Sequence, residues 1–449
     1  LMVTGVQTCA LPIYRKVFMR KDKRMEQNMT EKRKGTDRED LVVILFGILL
    51  AWLIYQIVLK ELPETLSDYN GHTYVYLPMF NRSTWFQGWK TVPYCLWHLC
   101  VLGLNHILRI PLEVSAAYVT GAFHLFAYFV LYWMIRRYTE RFCEKAGAWK
   151  AAMLAFGLSV AQGLYFYWLD AGGRFLGIYS MNPIHNPTHM SVRGFGLLCF
   201  CLVYDIWGAQ KDPAYRGVFF PVERSLKKYY GVLAGVLFLT AMSKPVFAEM
   251  FVPAVGVIML YRLLKLCVCK DERKTEYFRH CVYTFLCALP ALFYILLQFL
   301  AYFFWGGSYG ADGSFMVTKW MEVWSMYSEN IILSVALGMA FPLLVILFDA
   351  AFFVKDDLGI LAITGYVIGF LEAALFGEGG SKLSHADFLW PMMCGMMLVW
   401  VAAMLHLLVL EKTEDRRRGQ RVTVNVCFLI FGFHVLCGLL YIQNTLTVG

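Results

Sequence analysis

The chain has 449 residues, of which 59% are hydrophobic and only 16% charged, with a mean hydropathy of +0.53. Soluble domains carry about 25% charged residues, so a soluble globular fold is excluded and the chain belongs in lipid. The formal charge of +9 does not point to nucleic acid, because Lys and Arg are parcelled into short segments between apolar runs rather than gathered on one face.

Residues 3–13 (VTGVQTCALPI) read as translated sequencing adapter and are set aside from fold reasoning. The natural start is then expected at Met19, Met25 or Met29, and Gly449 need not be the natural C-terminus. Residues 1–40 thus comprise adapter and a tail rich in Lys and Arg, which the positive-inside rule places in the cytoplasm. Residues 41–449 form a single multi-span membrane domain.

The first apolar run, 41–60, leads into an outer segment at 61–113 that carries the motif SDYNGH (Ser67 to His72). Asn70 and Gly71 predict a turn between Asp68 and His72. Asp68 can act as general base on an acceptor hydroxyl or help hold a divalent ion, and His72 can orient a phosphate or share the proton. The plainer alternative is a solvated loop carboxylate beside an interfacial His. The stretch from Pro93 to Pro111 is apolar but interrupted by Trp97, His98, Asn105, His106 and Arg109, which predicts a helix lying at the interface. Cys95 and Cys100 sit five apart there, a weak disulfide candidate.

Further spans are predicted at approximately 114–135, 150–169, 190–209, 229–241, 246–264, 280–304, 331–354, 358–376, 386–410 and 422–445. All but the short run at 229–241 are near the length needed to cross roughly 30 Å of hydrocarbon as helix. The fold class is therefore all-α, a polytopic protein with about eleven transmembrane helices. Charge placement tests the layout: 32 of the 41 Lys and Arg fall on the side of the tail and nine on the other. Counting Pro93 to Pro111 as a span would reverse every later loop and break that asymmetry.

The unusual polar motifs then share the outer side, in loops at 61–113, 170–189 and 377–385, with a further outer loop at 305–330. In MNPIHNPTH (Met181 to His189), each Pro biases the preceding Asn to extended backbone, giving a rigid entry to a span with Thr188 as N-cap. His185, His189 and nearby Arg193 make it a candidate binding segment. Lys244, in SKP, sits between two apolar runs where an ammonium needs an anion or water nearby. Glu378, Lys382 and His385 occupy the Gly-rich turn GEGGSKLSH, whose alternative reading is a hairpin with a local Glu-Lys pair. His124, His406 and His434 lie within spans and read as packed interior residues. The stripe Tyr165 to Trp168 reads as an interfacial belt.

With these residues in place the chain resembles the GT-C superfamily of polytopic membrane glycosyltransferases. The likeness lies in layout: a basic tail, one span, an outer loop with an acidic residue soon after it (Asp68), an interfacial helix and many further spans. The resemblance implies a sugar donor linked to polyprenyl phosphate, a glycan or lipid acceptor, the lipid bilayer as surroundings, and Asp68 as catalytic base or member of a divalent-metal site. The chain departs from the family pattern in having one carboxylate, not two, in that motif. His72, His185, His189, Arg193, Lys244, Glu378, Lys382 and His385 are candidates for holding donor phosphate or acceptor, chosen by side and charge. The alternatives are a transporter or flippase of lipid-linked saccharide, and a surface polysaccharide polymerase or ligase.

Overall fold

The computed structural model describes residues 36–81, 83–166, 180–212, 214–222, 226–305, 315–412 and 418–448. The basic tail before residue 36, and the parts of the outer loops at 167–179 and 306–314, lie outside them. So do Tyr167 and Trp168 of the aromatic stripe.

The chain is an all-helical, polytopic membrane protein. Thirteen helices carry the described architecture: α1 (Thr36–Glu61), α2 (Trp85–Thr91), α3 (Leu96–Leu108), α4 (Leu112–Phe142), α5 (Ala148–Val160), α6 (Pro187–Lys211), α7 (Lys227–Ser243), α8 (Val246–Val268), α9 (Lys274–Phe303), α10 (Ile331–Phe348), α11 (Asp357–Leu375), α12 (Trp390–Glu411) and α13 (Arg418–Val448). Among the described residues, nine helices are long and apolar enough to cross a membrane. One antiparallel ribbon, β1 (Phe315–Val317) with β2 (Phe376–Glu378), interrupts the helical pattern and pairs Phe315 with Glu378.

The two remaining predicted spans, at 150–169 and 229–241, are the shorter helices α5 and α7. With 13 and 17 residues, they reach about 20 and 25 Å at 1.5 Å per residue. Helix α5 stops at Val160 because the next stretch takes its hydrogen bonds from elsewhere. The Gln162 amide donates to the His434 carbonyl at 3.1 Å and that of Leu164 to the Leu337 carbonyl at 3.1 Å. The side-chain amide of Asn182 donates to the freed carbonyls of Leu158 and Ala161 at 3.0 and 2.7 Å. Non-helical backbone at membrane depth is tolerated where protein satisfies it in this way.

The centre of the bundle is α12, whose residues from Trp390 through Leu408 are all buried. Its apolar side chains go all round the helix, the pattern of an interior element rather than of one presenting a stripe to a core. It lies against α11 at backbone contact: a Cβ on Gly395 would come 2.5 Å from the Tyr366 Cα, and one on Gly369 2.6 Å from the Met392 nitrogen. Small residues permit such an approach, which replaces side-chain interdigitation by broad van der Waals contact.

Charge ties the helix ends together at one end of the bundle. Lys211 and Arg262 both reach the Asp357 carboxylate at 2.6 Å, and Lys150 pairs with Glu411. Nearby, the fully buried Asp205 accepts the amides of Val218, Phe219 and Phe220 at 2.7, 3.0 and 2.7 Å and the Tyr215 hydroxyl at 2.6 Å. A buried carboxylate without such donors would be strongly destabilising, so the loop after α6 is folded around it. The polar motifs singled out above gather at the opposite end.

Candidate functional site

The site begins with Asp68. After α1 the chain turns, and Ser67 starts a helical turn, its Oγ accepting the Tyr69 amide at 3.1 Å. That turn runs on as the wider helix Gly71–Tyr76, so the turn predicted at Asn70-Gly71 is helical instead, with Gly71 at φ −55°. Tertiary anchors explain the departure: the Asn70 side chain donates to the Leu62 carbonyl at 2.7 Å and the Tyr69 hydroxyl to the Ile184 carbonyl at 2.6 Å. Asp68, half-buried, faces Asn186, whose Nδ2 donates to its Oδ2 at 2.7 Å.

Asn186, not Thr188, caps α6. Its Oδ1 accepts the His189 amide at 2.8 Å and the Thr188 hydroxyl at 3.0 Å. Pro187 fills the first helical position, where a missing N–H costs nothing, and Asn is among the best N-caps. The same Oδ1 lies 3.4 Å from the Lys244 ammonium. One side-chain amide therefore links the helix entry, the carboxylate and the cation.

Lys244 ends α7 with extended backbone, and its side chain is only 5% exposed. Among the described residues, no carboxylate lies within ion-pair distance of it. Its ammonium lies instead over two aromatic rings, 4.2 Å from the Trp390 centroid and 5.9 Å from that of Tyr94, an arrangement that partly replaces water for a cation. Burial pulls the ammonium below the usual lysine range, while the charges of Asp387 and then Asp68 oppose that shift.

Trp390 and Asp387 complete the arrangement. The rings of His189 and His185 lie 5.0 and 5.8 Å from that of Trp390, and the Trp390 indole N–H donates to the Asp387 carboxylate at 3.2 Å. Asp68 thus reaches Lys244 through Asn186, and Asp387 reaches it through Trp390. Burial lowers the affinity of the His185 imidazole for a proton, and Lys244 lowers it further, against the pull of Asp68. Neither Trp390 nor Asp387 stood out in the sequence. The available signal was their place immediately after GEGGSKLSH, at the start of the next span.

Other candidates stand apart. His72 does not hydrogen bond to Asp68 but turns to His98, with Nδ1 and Nε2 3.0 Å apart. Burial holds His72 well below the usual imidazole range and takes His98 down to about 3, so the pair is neutral. Arg193 lies one helical turn past His189 and is 1% exposed. Its Nε meets the Met397 sulfur at 3.4 Å. Lys382 forms no ion pair with Glu378; its ammonium donates to the Tyr302 hydroxyl at 2.8 Å. Glu378, held by β2, is buried, and among the described residues its Oε2 has no hydrogen-bond partner. Burial pushes its carboxyl up to about 7, Asp387 adding and Lys382 opposing. The His385 side chain lies outside the described residues. Cys95 and Cys100 are both free.

Among the described residues no group of three or more His, Cys, Asp or Glu is placed to hold a metal ion. What remains is a half-buried carboxylate oriented by an amide, a second carboxylate, and a desolvated cation between them. A comparison with protein-family models finds no match, and a comparison with curated proteins finds none either.

Proposed function

We propose that the chain is a membrane glycosyltransferase of the GT-C type, moving a sugar from a polyprenyl-phosphate donor to a glycan or lipid acceptor at the outer face of the membrane. The observation that carries this reading is the link through Asn186, which holds a carboxylate and a buried cation at one site. Transfer to a hydroxyl needs that combination, a base for the incoming oxygen and positive charge for the departing phosphate.

In this reading Asp68 takes the acceptor proton as the acceptor oxygen attacks the anomeric carbon. The bond from that carbon to the phosphate oxygen breaks on the opposite side, and Lys244 neutralises the lipid phosphate that leaves. A direct displacement of this kind inverts the anomeric centre. No step is routed through a metal: among the described residues no group of three or more His, Cys, Asp or Glu is placed to hold one. The same reading counts α5 with its irregular extension and α7 as crossings, eleven in all, with the basic end cytoplasmic.

The test is release of polyprenyl phosphate from a panel of polyprenyl-phosphate sugars by purified wild type and Asp68→Asn, with candidate acceptors present. Release by wild type and its loss in the variant support a transferase with Asp68 as base. Full activity in the variant removes Asp68 from that role. Equal movement of lipid-linked sugar by both proteins, without turnover, would replace the transferase by a transporter.

A further inference from the structure

At the end of the bundle opposite the Asp68 site, a cleft of about 1170 Å³ opens between the C-terminus of α6, the loop at 212–222, and helices α7 and α9. It is somewhat larger than ordinary ligand pockets, roughly 300–1,000 Å³. We propose that this cleft binds the phosphate of an anionic membrane lipid, a second site independent of the transferase reading.

The cationic wall is built rather than incidental. Arg216 stands on the loop that the Asp205 carboxylate fixes through three backbone amides. The next residue, Gly217, has φ +77°, and a Cβ there would meet the Phe220 carbonyl oxygen at 1.7 Å, so this tight turn requires glycine. Lys227 faces the same space from the start of α7. Among the described residues, neither Arg216 nor Lys227 has an ion-pair partner. The other two lining cations are engaged, Lys211 with Asp357 and Arg273 with Asp271.

Polar groups inside the cleft complete a headgroup site. The Gln210 Nε2 donates to the Tyr230 hydroxyl at 3.0 Å, and that hydroxyl lies 2.9 Å from His280 Nδ1. A hydroxyl that accepts from Gln210 can donate to His280 Nδ1 or accept from it, and in either tautomer the three side chains form one polar network lining the cleft. The Gln210 Oε1 is buried and, among the described residues, has no hydrogen-bond partner, an acceptor available to a headgroup hydroxyl.

Two carboxylates also line the cleft, Asp212 and Glu276. The surrounding segments 211–228 and 262–279 nevertheless carry eleven Lys and Arg against five Asp and Glu. A free phosphate would be served by the cations alone. A lipid is favoured because the wall formed by α9 continues into an apolar surface open to the bilayer: Tyr283 and Leu286, which line the cleft, are 40% and 50% exposed. A headgroup in the cleft would lay its acyl chains along that helix, and each basic group near such a headgroup contributes roughly a fivefold gain in affinity.

The experiment is native mass spectrometry of the full chain in mixed phosphatidylglycerol and phosphatidylcholine, comparing wild type with Arg216→Gln/Lys227→Gln. We expect wild type to retain phosphatidylglycerol selectively and the variant to bind it about 30-fold more weakly, from roughly fivefold per charge. Equal retention of phosphatidylcholine, or unchanged affinity in the variant, overturns the proposal. Inorganic phosphate is the second arm: displacement of the lipid at equal concentration would make the ligand a soluble anion and overturn the lipid assignment. Should the double variant not fold, Lys227→Gln alone carries the test, with about a fivefold loss expected and no loss overturning it.

Discussion

Asn186 donates a 2.7 Å hydrogen bond to the Asp68 carboxylate across 118 positions of sequence. Its other amide atom caps α6, so position 186 couples the stability of a helix to the aim of the proposed base. Asn186→Ala should lower stability by about 1 kcal/mol, the ordinary worth of an N-cap, and should also lower transfer activity. Asn186→Asp should recover the cap but not the activity, because it sets a second carboxylate against Asp68. Thermal unfolding and donor turnover, measured on both variants, separate the two roles; equal activity in all three proteins would show that Asp68 does not depend on this contact.

Lys244 gives the opposite combination. Its ammonium is desolvated and, among the described residues, has no carboxylate within ion-pair distance. An apolar residue of similar length should therefore fit at least as well, since replacing buried charge by hydrocarbon is often neutral or stabilising. Lys244→Met is expected to keep or raise the melting temperature while reducing polyprenyl-phosphate release by about 10²–10³-fold, the usual loss of one preorganised electrostatic contact. A variant that unfolds at lower temperature with its activity intact would make Lys244 a structural residue.

Glu378 supplies a pH dependence with a definite sign. Its carboxyl titrates at about 7 in the folded chain against an ordinary 4.5, so the folded state holds a proton that the unfolded state has released between those values. Stability should fall as pH rises through that window and stay lower above it. In Glu378→Gln this contribution is absent, so unfolding measured from pH 4 to 8 should show a shallower decline than wild type. An identical profile would place the Glu378 titration outside the window.

Much of the architecture was legible from hydropathy, because lipid imposes long apolar helices. That α3 is a short helix and not a full-length span was legible too, since Trp97, His98 and Arg109 break its apolar run. Where sequence reasoning failed, a distant partner had overruled a local preference. Asn70-Gly71 carries turn chemistry, yet Leu62 and Ile184 hold the segment helical. Thr188 is an acceptable cap, but Asn186 has both the cap geometry and Asp68 to satisfy. His72 is four residues from Asp68 and meets His98 instead. Trp390 and Asp387 had only their place after GEGGSKLSH to mark them, because their roles come from the start of α12 passing beside Lys244.

The contact between α11 and α12 predicts the most severe structural substitution. A Cβ at position 395 would press into the backbone at Tyr366, which cannot rotate aside as a side chain would. Gly395→Val should cost at least the roughly 1–3 kcal/mol typical of overpacking, read as a lowered melting temperature and poor recovery from membranes. Gly432, whose added Cβ would meet nothing within 4 Å, is the control: Gly432→Ala should leave both unchanged.

The early end of α5 has a consequence for biogenesis. A 13-residue helix is a poor stop signal for the insertion machinery, and the segment after it depends on partners synthesised much later: the Leu337 carbonyl, and the backbone and ring of His434, whose Nδ1 lies 2.7 Å from the Gln162 carbonyl oxygen. Until α13 emerges from the ribosome, the backbone amide and carbonyl of Gln162 lack these partners. The region is therefore completed last although it is made early, and chains shortened before His434 should be recognised by membrane quality control at this point rather than at their new terminus.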